Sequence, residues 1–357
     1  MKKFASIALG ILICECIFAQ ASMQSKTWSD VLPQDKISVE TVKTLLASGI
    51  KPNALDKNNS SLLYYVSDYS ASQQMIYKRE STTMLDALKY LFSSGASLVN
   101  DNENFLYGPI LFGAYNTTSV LLDNGADPNA WKNTRNSPEG GASPLEVAYE
   151  SLHENIADLL IAHGAAKLSD YEKNGLLFVG AANELDMEKL ITLGENGNVN
   201  VDVKDKIGDT AVGKIAGNFF YGDDSIAMVQ YLINKHADLN IWIHDPSFAK
   251  VGPPLSVIIQ HRKRMIGKNS DIAKNGMAAS YELMKMLLEN GAFVSGLDSE
   301  LKTPLHYAAM SNDIEAAHLL VPNNAKISSK DRYGKTPLDY AEGGDFIMLL
   351  KAAGAQE

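Results

Sequence analysis

His153 and Glu154 begin in the pattern of a zinc-protease helix, where two imidazoles one turn apart must face the same metal. Ala157 stands where the second histidine has to be, so no bidentate imidazole site forms on that face. The other histidines lack a nearby catalytic partner. His163 adjoins Gly164 at a helix end, where a partial positive charge suits the dipole, His236 takes a glycine's place at another, and His318 lies on a helix. The chain has no Gly-x-Ser-x-Gly elbow and no phosphate loop of the Gly-x4-Gly-Lys-Ser/Thr form. Gly194, Gly197 and their asparagine neighbours make a turn-rich junction with no strand before it, which is not a nucleotide cradle. Asp127, Asp238, Asp298 and Asp331 are expected to recur at equivalent places of a repeating unit; a catalytic acid is needed once, so recurrence points to a turn-stabilising role. These residues predict no enzyme, no cofactor and no metal. The competing class, an enzyme whose site is assembled from distant residues, stays open because triads can be far apart in sequence.

The elements that carry these residues repeat. Thr303-Pro304-Leu305-His306, Ala309, Leu319-Leu320 and Asn324-Ala325 return about 33 residues later as Thr336-Pro337-Leu338, Ala341, Leu349-Leu350 and Gly354-Ala355. Threonine caps a helix and proline suits its first position, where the missing amide would be orphaned anyway. Leu305, Ala308 and Ala309 give a short helix with a small-residue face, and a second helix over Ile314–Leu320 buries Ala317 and the leucine pair. Two such helices cannot bury their apolar faces alone and must stack on neighbours.

This pattern resembles the ankyrin repeat family over most of the chain. More divergent helix ends read Leu45-Leu46…Gly49, Leu91…Gly95, Leu121-Leu122…Gly125-Ala126-Asp127-Pro128-Asn129, Leu159-Leu160…Gly164, Leu190-Ile191…Gly197 and Leu232-Ile233…His236-Ala237-Asp238-Leu239-Asn240. Helix starts survive at Ser61-Leu62, Gly108-Pro109, Ser143-Pro144-Leu145, Gly175-Leu176, Thr210-Ala211 and Pro253-Pro254-Leu255. The predicted fold is all-α: an ankyrin-repeat solenoid of helix-turn-helix units with short β-hairpin-like fingers. Its expected organisation is a signal peptide over 1–21 and a repeat domain over 22–357. That domain has an N-terminal cap about 28–49, about eight repeats and a C-terminal cap repeat about 334–357. The resemblance implies that His306 makes a structural hydrogen bond between repeats.

Met1-Lys2-Lys3, an apolar run from Ile7 to Phe18 and the small residues of Ala19-Gln20-Ala21 predict a bacterial leader cleaved after Ala21, giving a periplasmic or secreted product. Cys14 and Cys16, the only two cysteines, lie inside it, preceded by Ile13 and Glu15 where a lipidation signal wants a small residue. The processed chain would then have no thiol chemistry. The net charge of −10 argues against nucleic acid or anionic lipid as the main partner.

Four polar insertions, at 67–83, 130–142, 241–252 and 261–279, break the repeat period, and insertions in such proteins map to loops, often on the binding face. Trp131 and Trp242 each follow a helix exit and fall on fingers, with Arg135 beside the first and His244 beside the second. In proteins this resembles, fingers line one edge of the concave surface, and tryptophan and arginine are enriched at binding hot spots. The alternative is that each indole covers its own loop. Arg262, Lys263 and Arg264, with Lys268 and Lys274, form the strongest local charge run, either a solvated loop or a patch for an acidic protein. Trp131, Arg135, Trp242, His244, Arg262, Lys263 and Arg264 are therefore the candidate protein-binding residues. The expected function is that of an exported, monomeric scaffold binding another protein through concave face, fingers and insertions. One version is a periplasmic immunity or inhibitor protein against a delivered toxin or lipase; others are a stress-protection adaptor or an effector passed to a host.

Overall fold

The computed structural model describes residues 28–30, 32, 37–98, 104–130, 141–218, 222–245 and 250–356. The expected leader over 1–21, Trp131 and Arg135 lie outside them. The chain divides into two compact units, Met1–Lys132 with Ser143–Lys167, and Leu168–Glu357 with 133–142.

In the first unit a 3-10 turn, Trp28–Asp30, and a lone helix α1 (Val39–Ala47) precede three helix pairs. These are α2 (Leu62–Tyr77) with α3 (Thr82–Ser93), α4 (Tyr107–Leu111) with α5 (Tyr115–Asp123), and α6 (Pro144–Glu150) with α7 (Glu154–Ala162). The second unit holds five pairs: α8 (Asp170–Asn183) with α9 (Met187–Asn196), α10 (Ala211–Gly217) with α11 (Asp223–Asn234), α12 (Pro254–Arg262) with α13 (Asp271–Glu289), α14 (Pro304–Ser311) with α15 (Ile314–Leu320), and α16 (Pro337–Tyr340) with α17 (Gly344–Ala352). Between α11 and α12 a finger closes into an antiparallel hairpin of β1 (Ile243–Asp245) and β2 (Lys250–Gly252). The fold is all-α, built of stacked ankyrin-type repeats with that one short hairpin among the described residues.

Local chemistry explains the starts and stops. Except at α4 and α12, where Leu106 and Pro253 precede the helix, the first helix of a pair opens on a hydroxyl residue: Ser143 accepts from Glu146 N while the Glu146 carboxylate takes Ser143 N–H, and Thr336 and Asp339 form the same box. The second helix of each pair ends in a left-handed residue. Glycine fills that place at Gly125 and Gly291, but His236 (φ 64°) and Asn198 (φ 48°) adopt it with a side chain. The end of α9 therefore turns at Asn198, not at Gly197, which is still right-handed. The start expected at Gly175 also moves: α8 begins at Asp170 behind the Ser169 cap, and Gly175 sits within the helix against Val203.

Stacking follows from small buried faces. Ala308, Ala309, Ala316 and Ala317 are buried and let helices approach closely, while Leu305 and Leu320 fill the space between. Truncating either leucine to alanine carries the ~2–5 kcal/mol of a core cavity. Asparagines four residues past the left-handed turn tie successive loops together. Asn129 donates to Gly164 O at 3.0 Å and accepts from Ala166 N at 2.8 Å, and Asn240 does the same to Gly291 O and Phe293 N.

Two expected loops are helices instead. Residues 67–77 continue α2 without a break, since serine, alanine and glutamine there meet no glycine or proline, and only residues 78–81 turn. In the 261–279 insertion His261 and Arg262 finish α12, residues 263–267 form the turn, and α13 begins at Asp271 behind the Ser270 cap.

Candidate functional site

Four fingers are each fixed by one aspartate. Asp331 Oδ1 accepts from Tyr333 N and Lys335 N at 2.8 and 3.0 Å, and Asp298 Oδ1 accepts from Glu300 N and Lys302 N at 2.8 Å each. Asp56 and Asp205 make the same turn, with Asn58 N and Ser60 N, and with Ile207 N and Asp209 N. Asp127 and Asp238 occupy a different place, the helix exit, where each accepts from an amide two residues on. The recurring aspartates thus fall into two structural classes, and both stabilise turns.

The second oxygen of the finger aspartate turns inward to the residue nine positions later, on the following helix. Tyr340 OH donates to Asp331 Oδ2 at 2.6 Å, Tyr307 OH donates to Asp298 Oδ2, and Lys214 Nζ meets Asp205 Oδ2 at 2.5 Å. Hydrogen bonds from Tyr340, Lys335 and Tyr333 hold the Asp331 carboxyl down to about 2 against the opposing effect of desolvation. Burial, then the bond to Asp331, pushes the Tyr340 phenol up to about 12. Burial and Asp298 raise Tyr307 as well. His306 completes the arrangement: Nδ1 accepts from Thr303 N at 3.0 Å and Nε2 reaches Lys335 O at 3.1 Å on the next finger, the inter-repeat bond expected for it. Burial keeps its imidazole below the usual histidine range. These perturbed groups are spent on each other and on backbone, so their chemistry is structural.

The fingers of the second unit expose large apolar side chains among charged ones such as Lys330, Arg332 and Lys335. Tyr333 is 65% exposed at a tip and Trp242 44%, with Leu297 and Leu301 also exposed between them in the chain. Leu301 sits at φ 61°, where the neighbouring finger has Gly334, a left-handed backbone that costs a side-chain-bearing residue ~1–2 kcal/mol. Lys302 Nζ lies 5.3 Å from the Tyr333 ring centre, and Arg332 donates to Ser299 O at 2.8 Å, which fixes the last two fingers to each other. Strand alternation decides which way Trp242 points: Ile243 turns in and is buried, so its neighbour turns out.

The candidate residues are not one cluster. Trp242 stands before α12, whereas Lys263 and Arg264 are exposed after it, separated by nine helical residues, or ~13 Å along the axis. His244 pairs through its backbone with Val251. Arg262 leaves the surface set. Its guanidinium is wholly buried, with Nε 2.6 Å from Asp313 Oδ2, Nη2 2.5 Å from Glu315 Oε2, and Nη1 on Met277 O and Ser280 Oγ at 2.8 Å. A buried guanidinium needs all of these partners, and its neighbours in sequence do not supply them. Leu297, Leu301 and Tyr333 were not among the predicted residues, although the place two after each finger aspartate marks Tyr333.

Among the described residues no group of three or more His, Cys, Asp or Glu side chains is arranged to hold a metal, and no helix is long and apolar enough to cross a membrane. Residues 272–356 match the family model for ankyrin repeats (3 copies), which supports an ankyrin repeat protein and, with it, the protein-binding role such repeats generally serve. No curated protein matches the chain.

Proposed function

We propose that this chain is an exported, non-catalytic scaffold that grips another protein along the finger tips and first helices of its repeats. The observation that carries this reading is the exposure of Trp242, Leu297, Leu301 and Tyr333 on or beside the fingers, the last two of which are held by Asp298 and Asp331. Rigid aromatic side chains on a pre-ordered backbone lose little entropy on binding, so their burial goes mostly into affinity. Export rests on the leader pattern of Met1–Ala21.

The test compares capture of a partner by wild type and by a Trp242→Ala, Tyr333→Ala double variant. Loss of ~2 kcal/mol at each anchor predicts a partner affinity several hundredfold weaker in the variant. Equal recovery by both removes the finger row as the contact surface. N-terminal sequencing of the protein recovered from a cell fraction tests the export half separately, and an uncleaved Met1 inside the cell would defeat it.

A further inference from the structure

The finger reading leaves two surfaces unexplained, one in each unit, at the same place in the repeat: the turn from the first helix of a pair to the second, at the end away from the finger. In the second unit α13 is 19 residues long while its neighbours α11 and α15 have 12 and 7. All three finish at equivalent left-handed residues, so the surplus lies at the start of α13, which overhangs by ~10 Å or more. The preceding turn folds back on this overhang, with Met265 packed where Gly276 has no side chain. The root is locked by the buried Arg262 network. What remains outside is Lys263, Arg264, Lys268 and Lys274 around Ile266 and Ile272, the last 70% exposed.

The first unit builds a comparable surface from a different sequence. There α2 is 16 residues long against 5 and 7 for α4 and α6, and its surplus end carries exposed Met75, Ile76 and Tyr77 followed by exposed Lys78 and Arg79. Two of the nearby acids are already engaged, while Asp271 is exposed beside Ile272 at the start of α13. Glu80 is spent on Asn116 N and Thr117 N at 2.6 and 2.7 Å, and Asp313 is spent on Arg262 and Ala316 N. Four exposed cations against Asp271 leave the second overhang basic, and exposed aliphatic tips stand beside the cations in both places.

We propose that each overhang, taken by itself, is a contact point for an anionic lipid surface, with Ile272 and Ile266 of the second unit, or Ile76 and Tyr77 of the first, entering the headgroup boundary and the flanking lysines and arginines meeting lipid phosphates. Aliphatic tips ringed by flexible cations match that boundary, where long basic stems reach around buried apolar groups. A protein hot spot draws instead on tryptophan and arginine packed in a closed pocket. The net charge of −10 opposes approach from afar, but at physiological salt exposed charges beyond ~8 Å are screened and the local cations dominate at contact. This inference does not depend on the finger reading, and it concerns different residues.

Co-sedimentation of the protein, as the cell makes it, with phosphatidylglycerol-rich vesicles and with phosphatidylcholine vesicles tests it. Binding is expected to the anionic vesicles and to fall with added salt. Lys263→Glu with Arg264→Glu should weaken it by about fivefold or more for each cation removed. Ile266→Ser with Ile272→Ser, and separately Ile76→Ser with Tyr77→Ser, should each weaken it roughly tenfold. These side chains are exposed, so helical content and melting temperature should not move. Trp242→Ala with Tyr333→Ala should leave vesicle binding unchanged. Equal sedimentation with neutral vesicles, or variants that bind like wild type, would overturn the proposal. So would variants that lose a co-purified acidic protein while keeping the vesicles.

Discussion

Two fingers of the second unit are attached to the helix behind them in opposite ways. The finger ending at Lys335 is held by polar contacts: His306 Nε2 on Lys335 O, and Tyr340 on Asp331. The finger that carries Trp242 is held by packing. Gly213 occupies, after Thr210, the place that His306 occupies after Thr303, and the space left by its missing side chain is filled by Ile243. A Cβ added at Gly213 would overlap Ile243 Cγ2. One position in the repeat therefore either donates a hydrogen bond to the next finger or vacates room for it. The polar attachment fixes a direction and responds to pH. The apolar one holds a longer hairpin and is indifferent to protons.

Breaking the apolar attachment should have the largest effect. Ile243→Ala empties a fully buried site and is expected to cost ~2–4 kcal/mol. Gly213→Ala overpacks the same site and should cost ~1–3 kcal/mol. The pair is diagnostic in combination. With Ile243 already truncated, Gly213→Ala should become neutral or stabilise by up to ~1 kcal/mol, because alanine is the better helix former once the clash is gone. Denaturant melts of the four proteins supply the cycle, and simple additivity would show that the glycine is not making room for the isoleucine.

The polar attachment should give a smaller loss with a pH signature. His306 is neutral in the fold, with Nδ1 already accepting from Thr303 N and Nε2 donating to Lys335 O. Burial holds its folded pKa below 6.5, so the unfolded chain takes up the proton first. Its contribution is present above about 6.5 and is lost as pH falls from there through the depressed folded value. His306→Ala should cost ~1–3 kcal/mol at neutral pH, by leaving buried groups unpaired, and should flatten the stability profile just below pH 6.5. An unchanged slope there would mean that another group titrates on unfolding.

How much of this was open to sequence follows the same divide. Periodic features were legible: the Thr-Pro-Leu starts, the His306 bond to the next repeat and the turn role of the aspartates are all short-range consequences of residue type. Asp56 and Asp205 were equally available, since each stands five residues before a Ser61 or Thr210 cap, but their divergent fingers hid the register. The overhangs are hidden because their polar composition resembles that of a loop, whereas serine, alanine and glutamine between Leu62 and Tyr77 extend a helix readily. Arg262 shows the limit. Its charge looks like its neighbours' charge in the chain, and what buries it is Asp313, which becomes its partner only through stacking. The Gly213–Ile243 fit is invisible for the same reason: a glycine inside a helix looks like a weakness until the residue that fills its space is known.

The finest test isolates one hydrogen bond. Tyr340→Phe removes the donor to Asp331 Oδ2 and leaves the finger's two amide bonds in place, so its cost at neutral pH should be ~1 kcal/mol. The pH dependence separates it from a packing change. Asp331 is depressed to about 2, so the stability it contributes is present above the unfolded carboxyl value near 3.9 and is lost as pH falls toward 2. Tyr340 is raised to about 12, so its contribution is present below about 10 and is lost as pH rises toward 12. Both limbs report the same contact from opposite partners. Phenylalanine should therefore abolish the Tyr340 part of the alkaline limb and shrink the acid one, because Lys335 N, Tyr333 N and Lys302 still support the carboxylate. Melting curves of wild type and variant at the two extremes would expose the error if the gap between them stayed constant with pH, since only a bond whose two partners titrate can make that gap close at both ends.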